Sequence, residues 1–217
     1  MTCIALPGVY APQDDTALLA EALRNETLAP RAQVLDVGTG TGALALVAAQ
    51  LGARVTAVDI SRRSVLSARL NARLARLPVR VLRGNLLAPV AGHDYDVILS
   101  NPPYVPAPGG TRPGHGAARA WDAGHNGRLL LDRICQEAPA LLRPGGVLLI
   151  VHSALCGEEP TLRRLRAAGL DAMVTERRSV AFGPVMRARR TWLHSQGLLA
   201  ADQNKEELVV VRARRIP

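Results

Sequence analysis

Blocks of apolar and polar positions alternate along the chain and predict strands and helices in turn. Short apolar runs predict strands near 33–38, 54–59, 79–83, 95–100, 146–152, 170–179 and 207–214. Apolar residues three or four apart predict helices near 14–25, 41–51, 62–76, 127–142 and 158–168. This alternation is typical of an α/β protein with a mostly parallel sheet covered by helices.

Local signals refine the ends of these elements. Ser61 is a predicted N-cap for the helix near 62–76, and Asn126 for the helix near 127–142. The segment Arg-Pro-Gly-Gly at 143–146 is expected to end that helix, because Pro cannot continue it. The last two predicted strands have no clear helix between them and are expected to pair as an antiparallel hairpin at the sheet edge.

Two stretches lie outside the pattern. Residues 105–126 are rich in Pro and Gly, and a loop of that length in a compact domain is usually functional or disordered. We interpret it as a wall of a substrate site. Residues 183–205 carry several arginines, Trp192 and His194. They form either a surface that contacts RNA or protein, or a solvated basic linker. The sequence leaves both possibilities open.

Composition narrows the class of protein. A length of 217 residues and 48% hydrophobic content predict one folded domain spanning 1–217. No apolar run reaches the roughly 20 residues of a membrane span, so we expect a cytoplasmic protein with no membrane partner. Three cysteines without CxxC spacing indicate reduced structural thiols, and no metal site is predicted. The net charge of +9 is compatible with nucleic-acid binding, although an arginine-rich composition bias explains it equally well.

A glycine-rich turn follows the first predicted strand. The segment 36–42 reads Asp-Val-Gly-Thr-Gly-Thr-Gly where a strand turns into a helix. Glycine accepts a positive φ and lets the backbone approach a ligand closely. Asp59 ends the next strand, where an acid can hydrogen-bond both ribose hydroxyls or simply cap a helix. Asn85 and Leu86 follow the third strand and either contact adenine or form a turn. These features predict a nucleoside site and leave NAD and S-adenosylmethionine open.

The segment Asn101-Pro102-Pro103-Tyr104 follows the fourth predicted strand, in the crevice where open α/β sheets bind ligands. The Asn101 side-chain oxygen and the Pro102 carbonyl are acceptors for both N–H groups of an amide or exocyclic amine, and Tyr104 can stack on the planar group. This set suggests methyl transfer from S-adenosylmethionine to a planar nitrogen. The proton can leave after transfer, so no strong base is needed.

These residues resemble the class I S-adenosylmethionine-dependent methyltransferases with an Asn-Pro-Pro-Tyr motif, and among them the HemK-type release-factor glutamine methyltransferases. The likeness is to the short branch without an N-terminal helical domain. The segment 9–19 is similar to the one that closes over the cofactor, and 121–128 resembles the family segment after the substrate loop. The resemblance covers most of residues 8–182.

The resemblance implies a Rossmann-like fold with a seven-stranded, mostly parallel sheet, an antiparallel last strand and helices on both faces. It implies S-adenosyl-L-methionine as cofactor and residues 1–30 as a segment that closes over it. The expected catalytic residues are Asn101, Pro102, Pro103 and Tyr104. The candidate cofactor-binding residues, from motifs and resemblance together, are Tyr10, Thr16, Asp36, Gly38, Thr39, Gly40, Gly42, Asp59, Ile60, Asn85, Leu86 and Asn101.

The family substrate is the glutamine of the Gly-Gly-Gln loop of a peptide-chain release factor, and some short-branch members work with a small zinc-binding activator protein. Asn85 stands where the family usually has Asp, and 183–205 is longer than the branch predicts. The alternatives are methylation of an exocyclic amine in RNA or DNA, methylation of protein lysine, a non-catalytic binding subunit, and an NAD-binding dehydrogenase. The dehydrogenase offers no role for Asn-Pro-Pro-Tyr.

Overall fold

The computed structural model describes residues 3–110, 116–200 and 202–216. Its strands are β1 Gln33–Val37, β2 Arg54–Asp59, β3 Val79–Arg83, β4 Tyr95–Ser100, β5 Leu142–Ser153, β6 Leu170–Ala181 and β7 Lys205–Arg215. Its α-helices are α1 Asp14–Arg24, α2 Ala43–Gln50, α3 Arg62–Leu74, α4 Leu129–Glu137, α5 Glu158–Ala167 and α6 Pro184–Ser195. None of these helices is both long and apolar enough to cross a membrane.

All seven strands belong to one sheet in the order β3-β2-β1-β4-β5-β7-β6. The pairs from β3 through β5 are parallel, and β7 pairs antiparallel with both β5 and β6. The chain therefore reverses direction only at β7, which lies between β5 and the edge strand β6. The predicted mostly parallel sheet with an antiparallel last strand is confirmed.

The central strands owe their position to continuous apolar runs. In β1, β4 and β5 successive residues such as Ile98, Leu99 and Leu149 are fully buried. A strand that is buried on both faces cannot alternate apolar and polar positions, so its sequence reads as a continuous hydrophobic segment. Because β1, β2, β3 and β4 run parallel, their carboxyl ends lie at the same edge of the sheet.

The segment 183–205 corrects one prediction, because it contains a helix between the last two strands. α6 buries Met186 and Leu193, seven residues apart on one face, and carries arginines at 187, 189 and 190. The many arginines mask this narrow apolar face in the sequence. The segment is thus neither a helix-free hairpin connection nor a simple solvated linker.

The predicted helix near 127–142 is wrong at both ends. α4 covers only Leu129–Glu137, a 3-10 turn follows, and Arg143-Pro-Gly-Gly146 belongs to β5. Tyr95 pairs with Leu142 and Val97 with Val147, so residues 143–146 lie between two consecutive pairings. They form a bulge in β5 rather than the end of a helix.

Two predicted caps have different outcomes. Ser61 caps α3, and its hydroxyl accepts from the Ser64 N–H at 3.3 Å, as predicted. Asn126 lies too early to cap α4. Its side-chain oxygen accepts from the backbone N–H of Arg128, which itself occupies the N-cap position.

Candidate functional site

One cleft lies at the carboxyl ends of the first four strands. Its walls are the turn after β1, the ends of β2 and β3, the segment after β4 and part of the N-terminal segment. Ten of the twelve candidate cofactor residues line it: Tyr10, Thr16, Gly38, Thr39, Gly40, Asp59, Ile60, Asn85, Leu86 and Asn101. Asp36 and Gly42 are not among its lining residues. Pro102 and Pro103 line it, and Tyr104 does not.

The glycine turn combines left-handed backbone with close packing. Gly38, Gly40 and Gly42 have φ values of 75°, 55° and 87°. A Cβ on Gly42 would lie 3.1 Å from the Cβ of Ala68 on α3, so a larger residue there would push two helices apart. Beside Gly38 the space is open, with nothing within 4 Å of such a Cβ. The turn therefore presents bare backbone to the cleft, as a cradle for a nucleoside-bearing ligand requires.

Asp36 acts behind this turn. It is buried, and its Oδ2 accepts from the Thr39 hydroxyl at 2.6 Å and from the Ala45 N–H at 3.1 Å. Burial raises the pKa of this carboxyl to about 6, although both hydrogen bonds oppose the rise. Asp36 thus fixes the geometry of the turn without reaching the cleft.

Asp59 joins two turns at the cleft wall. Its Oδ2 accepts from the Gly40 N–H at 3.0 Å, and its Oδ1 accepts from the Ser61 N–H at 2.8 Å. Leu86, at the end of β3, lines the cleft with a φ of 48°, a left-handed conformation that non-glycine residues seldom adopt. Such conformations cluster at ligand sites, which favours the adenine contact over the simple turn that the sequence left open.

Asn101 stands at the other end of the cleft. The preceding residue, Ser100, donates its hydroxyl to the Val37 carbonyl at 2.9 Å, which ties the end of β4 to β1. The Asn101 side-chain nitrogen donates to the Thr16 hydroxyl oxygen at 3.2 Å. Thr16, from the N-terminal segment, therefore holds the Asn101 side chain, which the sequence predicts to bind the acceptor nitrogen.

Tyr104 is buried behind the cleft, where its hydroxyl donates to Asp15 Oδ2 at 3.0 Å. Tyr10 donates to the same oxygen at 3.0 Å. Burial, with the Asp15 charge in support, raises the pKa of both phenols above their usual value, so both stay protonated and can donate. The stacking predicted for Tyr104 remains a prediction, since its ring is not part of the cleft wall.

Asp15 is the residue that sequence reasoning missed. It is 3% exposed although it lies in the first turn of a helix, and it accepts from Tyr10, Tyr104 and both the N–H and the hydroxyl of Thr16. Acidic residues in a first helical turn usually favour the helix dipole, so its position gives no separate signal. Only its place inside the N-terminal segment 9–19 pointed to the site.

The segment after Asn101 is held from a second side. The Tyr104 carbonyl accepts from the Cys156 thiol at 3.1 Å, and burial raises the pKa of that thiol to about 12, which keeps it a donor. A Cβ on Gly127 would lie 2.2 Å from the same carbonyl oxygen. Buried Arg128 donates to the Cys156 and Gly157 carbonyls at 2.8 Å and pairs with Asp132 at 2.7 Å.

The predicted substrate loop, 105–126, is described except for 111–115, which lie outside the described residues. Gly116, Arg119 and Ala120 line the cleft. On α6, Arg189 pairs with Asp122 at 2.5 Å and donates to the Pro106 carbonyl at 3.0 Å. The basic segment therefore fastens this loop. Within the described ranges, no group of three or more Cys, His, Asp or Glu side chains could hold a metal ion.

Comparison with known proteins identifies the family. Residues 1–111 match the family described as the methyltransferase small domain. A putative protein N5-glutamine methyltransferase of Methanocaldococcus jannaschii is 35% identical over 181 residues, which cover 83% of this chain and 90% of the relative. The release factor glutamine methyltransferase of Deinococcus radiodurans is 41% identical over 171 residues, which cover 75% of this chain and 60% of that longer protein.

A solved structure shares the fold. The Mtq2–Trm112 complex of E. cuniculi, described as methylating the eRF1 translation termination factor, matches with a TM-score of 0.69 and 22% identity, over 96% of this chain and 99% of that chain. Together with the cleft and its Asn101 end, these matches establish that the chain belongs to the methyltransferase small-domain family, among the HemK-type class I methyltransferases.

Proposed function

We propose that this chain transfers a methyl group from S-adenosylmethionine to the side-chain amide nitrogen of a protein glutamine, with the Gly-Gly-Gln loop of a peptide release factor as substrate. One observation carries the proposal. Asn101 lines the same cleft as the glycine turn and Asp59, so one cleft offers a site for the nucleoside-bearing donor and a site for the acceptor nitrogen.

The cleft suits the cofactor by its chemistry. Positive-φ glycines leave open backbone beside the turn, and Asp59 lies at the end of β2 where a ribose is expected. S-adenosylmethionine, when bound, supplies a methyl group on a sulfonium, which needs no metal or base for activation. The N-terminal residues Tyr10 and Thr16 then cover the cleft, in keeping with a segment that excludes water.

The acceptor end suits an amide. An amide nitrogen is a poor nucleophile because its lone pair is delocalised into the carbonyl. Asn101 Oδ1 and the Pro102 carbonyl can accept its two N–H groups, which favours the positive charge that develops on nitrogen and fixes its direction. The N–C bond forms as the S–C bond breaks, and one N–H proton then leaves to solvent.

A protonated lysine fits this cleft less well, because it must lose a proton before it can react. Among the described residues that line the cleft, Asp59 is the one carboxylate, and its two oxygens already accept backbone N–H groups at the β2 end. The relatives from M. jannaschii and D. radiodurans, both named for glutamine, support the same choice.

We extend the proposal to a small protein partner, resembling the zinc-binding activators of the short branch. Leu66, Leu70 and Leu74 lie four residues apart on α3 and are 58%, 36% and 62% exposed. Residues at this spacing share one helix face, and an exposed apolar row is typical of a protein contact. Mtq2, which has the same fold, is in complex with Trm112.

The partner proposal is tested by coexpression with a Trm112-like protein. Leu70→Glu is expected to prevent copurification, whereas Leu51→Glu, which changes a leucine of similar exposure outside this row, leaves it intact. Equal copurification of both variants would contradict the docking row.

The enzymatic proposal is tested with labelled S-adenosylmethionine, purified release factor and a release factor whose Gly-Gly-Gln glutamine is replaced. We expect label on the unmodified factor alone, in an assay supplemented with the Trm112-like protein. Label on RNA or DNA, or on both release factors equally, would contradict the glutamine assignment.

A further inference from the structure

We propose that Asp15 is a positioning residue that orients the Asn101 side-chain amide through Thr16, so that Asn101 Oδ1 faces the acceptor nitrogen. The inference rests on the proposed function and deepens it. It names the group that determines which end of a chemically ambiguous amide faces the substrate.

The direction of each hydrogen bond follows from counting protons. Four donors surround the two Asp15 oxygens: the Tyr10 and Tyr104 hydroxyls, and the N–H and hydroxyl of Thr16. Four is the lone-pair capacity of a carboxylate, which has no proton of its own to give. Asp15 is therefore an acceptor in every one of these contacts.

Thr16 transmits this polarity. Its hydroxyl has a single proton, which points to Asp15 Oδ1 across 3.2 Å. The Thr16 oxygen can then only accept from its other neighbour, the Asn101 amide at 3.2 Å. A hydrogen-bond network of this kind is what distinguishes the two ends of an Asn side chain. The Asn101 NH2 group must face Thr16, which leaves Oδ1 for the acceptor.

The alternative orientation of the Asn101 amide is unfavourable because it mismatches donors and acceptors. With Oδ1 toward Thr16, two acceptors would compete for one hydroxyl proton, and the NH2 group would meet the N–H groups of the incoming amide. The first contact sets an acceptor against an acceptor, and the second sets a donor against a donor. An Asn101 that rotated freely would spend part of its time unable to bind the substrate nitrogen.

The same carboxylate also joins the two walls of the cleft. Tyr10 belongs to the N-terminal segment, and Tyr104 is the last residue of the Asn-Pro-Pro-Tyr motif, yet both donate to Asp15 Oδ2. Asp15 is 3% exposed, so these bonds are shielded from competing water. The acceptor geometry is thus complete only when the N-terminal segment lies over the cleft.

Three variants test the polarity. Thr16→Val keeps the shape and removes the hydroxyl, Thr16→Ser keeps the hydroxyl, and Asp15→Asn introduces a donor where only an acceptor is compatible. We expect Thr16→Val and Asp15→Asn to lower kcat by about 10- to 100-fold, as misplacement of a reacting group does. Thr16→Ser is expected to restore kcat to within about threefold of the wild type. Because Thr16 also lines the cofactor cleft, the loss of kcat in Thr16→Val and Asp15→Asn should exceed any loss of calorimetric affinity for S-adenosylmethionine.

A double-mutant cycle separates positioning from general damage. If Asp15 acts through Asn101, Asp15→Asn should cost nothing further in an Asn101→Ala background. Single-turnover rates measured with excess enzyme give the comparison. Multiplicative losses, or a fall in cofactor affinity in Thr16→Val and Asp15→Asn as large as the fall in kcat, would overturn the proposal.

A second readout does not depend on the substrate. In 15N-labelled protein, the Asn101 side-chain NH2 resonances, assigned by their loss in Asn101→Ala, should show a through-space contact to the Thr16 methyl protons. In Thr16→Val this amide should lose its single orientation and exchange faster. If the contact is absent in the wild type the inference fails, whereas an inert release factor with the contact present would reject only the substrate assignment.

Discussion

The cofactor half and the acceptor half of the cleft are held by different kinds of interaction. Around the glycine turn the key bonds are local, such as Asp36 to Thr39 and Asp59 to Ser61. At the acceptor end, Tyr104 is bonded to Asp15 and Cys156, which lie 89 and 52 residues away. The glycine turn takes its partners from neighbouring strands and helices, such as Asp59, 19 residues from Gly40, whereas the acceptor half needs partners from distant parts of the chain.

Because the two halves are held by different contacts, cofactor binding and methyl transfer can be separated by mutation. A change near Asn101 or its supports should damage methyl transfer while the cofactor still binds. A change in the glycine turn should weaken cofactor binding first.

The largest expected effect concerns Arg128, which supports the acceptor half. Arg128→Ala leaves the Cys156 and Gly157 carbonyls without their charged donor and should lower the free energy of unfolding by about 3 kcal/mol, as leaving buried acceptors unsatisfied does. Arg133 is a matched control, since it also pairs with a residue four positions later on α4, but on the surface. Arg133→Ala should cost less than about 1 kcal/mol in urea unfolding. Similar costs for both variants would contradict the buried support.

The next effect concerns the reaction itself. Asn101→Ala removes one acceptor for the substrate amide and should lower kcat by about 100- to 1000-fold, the range seen for a lost group that stabilises a transition state. S-adenosylmethionine affinity, measured by calorimetry, should stay close to that of the wild type. A lost cofactor affinity would instead assign Asn101 to the cofactor half.

A pH experiment compares two buried groups, Asp36 behind the glycine turn and His152 of β5. Burial raises the pKa of Asp36 to about 6, so the folded state holds this proton more tightly than the unfolded chain, and stability falls as the pH rises through that value. Burial lowers the pKa of His152 to about 4, so its contribution is present above the usual value of 6.5 and is lost as the pH falls toward 4.

The two groups therefore oppose each other over the same range. Between about pH 4 and pH 7, the free energy of unfolding of His152→Gln should fall relative to the wild type as the pH rises. That of Asp36→Asn should fall relative to the wild type as the pH falls. Each change should amount to about 3 kcal/mol over this range. Urea unfolding across this range measures both slopes. Parallel slopes in the two variants would contradict the assigned directions.

The smallest effect isolates the packing of the glycine turn. Gly42 and Gly52 both have a positive φ, so Ala strains the backbone at either position. Only at Gly42 would the new Cβ meet a neighbour, Ala68 at 3.1 Å. Gly42→Ala should cost about 1 kcal/mol more than Gly52→Ala, as overpacking does, and should also weaken S-adenosylmethionine binding. Equal melting temperatures for the two variants would contradict the tight packing at Gly42. Equal affinities would contradict a role for the turn in cofactor binding.

Sequence reasoning succeeded where structure is local. The glycine turn, the Ser61 cap and the apolar runs of β1 and β4 are set by neighbours within a few residues, and their positions in the chain predict them directly. The likeness to a known family then brought the N-terminal segment into the site. These signals suffice for the fold and for most of the cleft lining.

The remaining features depend on distant partners. Asp15 looks like an ordinary acidic residue of a first helical turn, and Arg128 like one of many surface arginines, until the fold buries both. The Arg-Pro-Gly-Gly segment stops helices in general, yet here it bulges inside β5 because β4 pairs on either side of it. Burial and pairing of this kind arise from tertiary contacts, which spacing along one chain does not encode.

The central claim is that the cleft methylates a glutamine amide, and mass spectrometry of the product tests it most directly. Release factor is incubated with this protein, a Trm112-like partner and S-adenosylmethionine, and its Gly-Gly-Gln peptide is fragmented. The account predicts one added methyl group on the glutamine side-chain nitrogen, absent with Asn101→Ala. A methyl group on lysine or another residue, or an unmodified peptide from an enzyme that binds the cofactor, would contradict it.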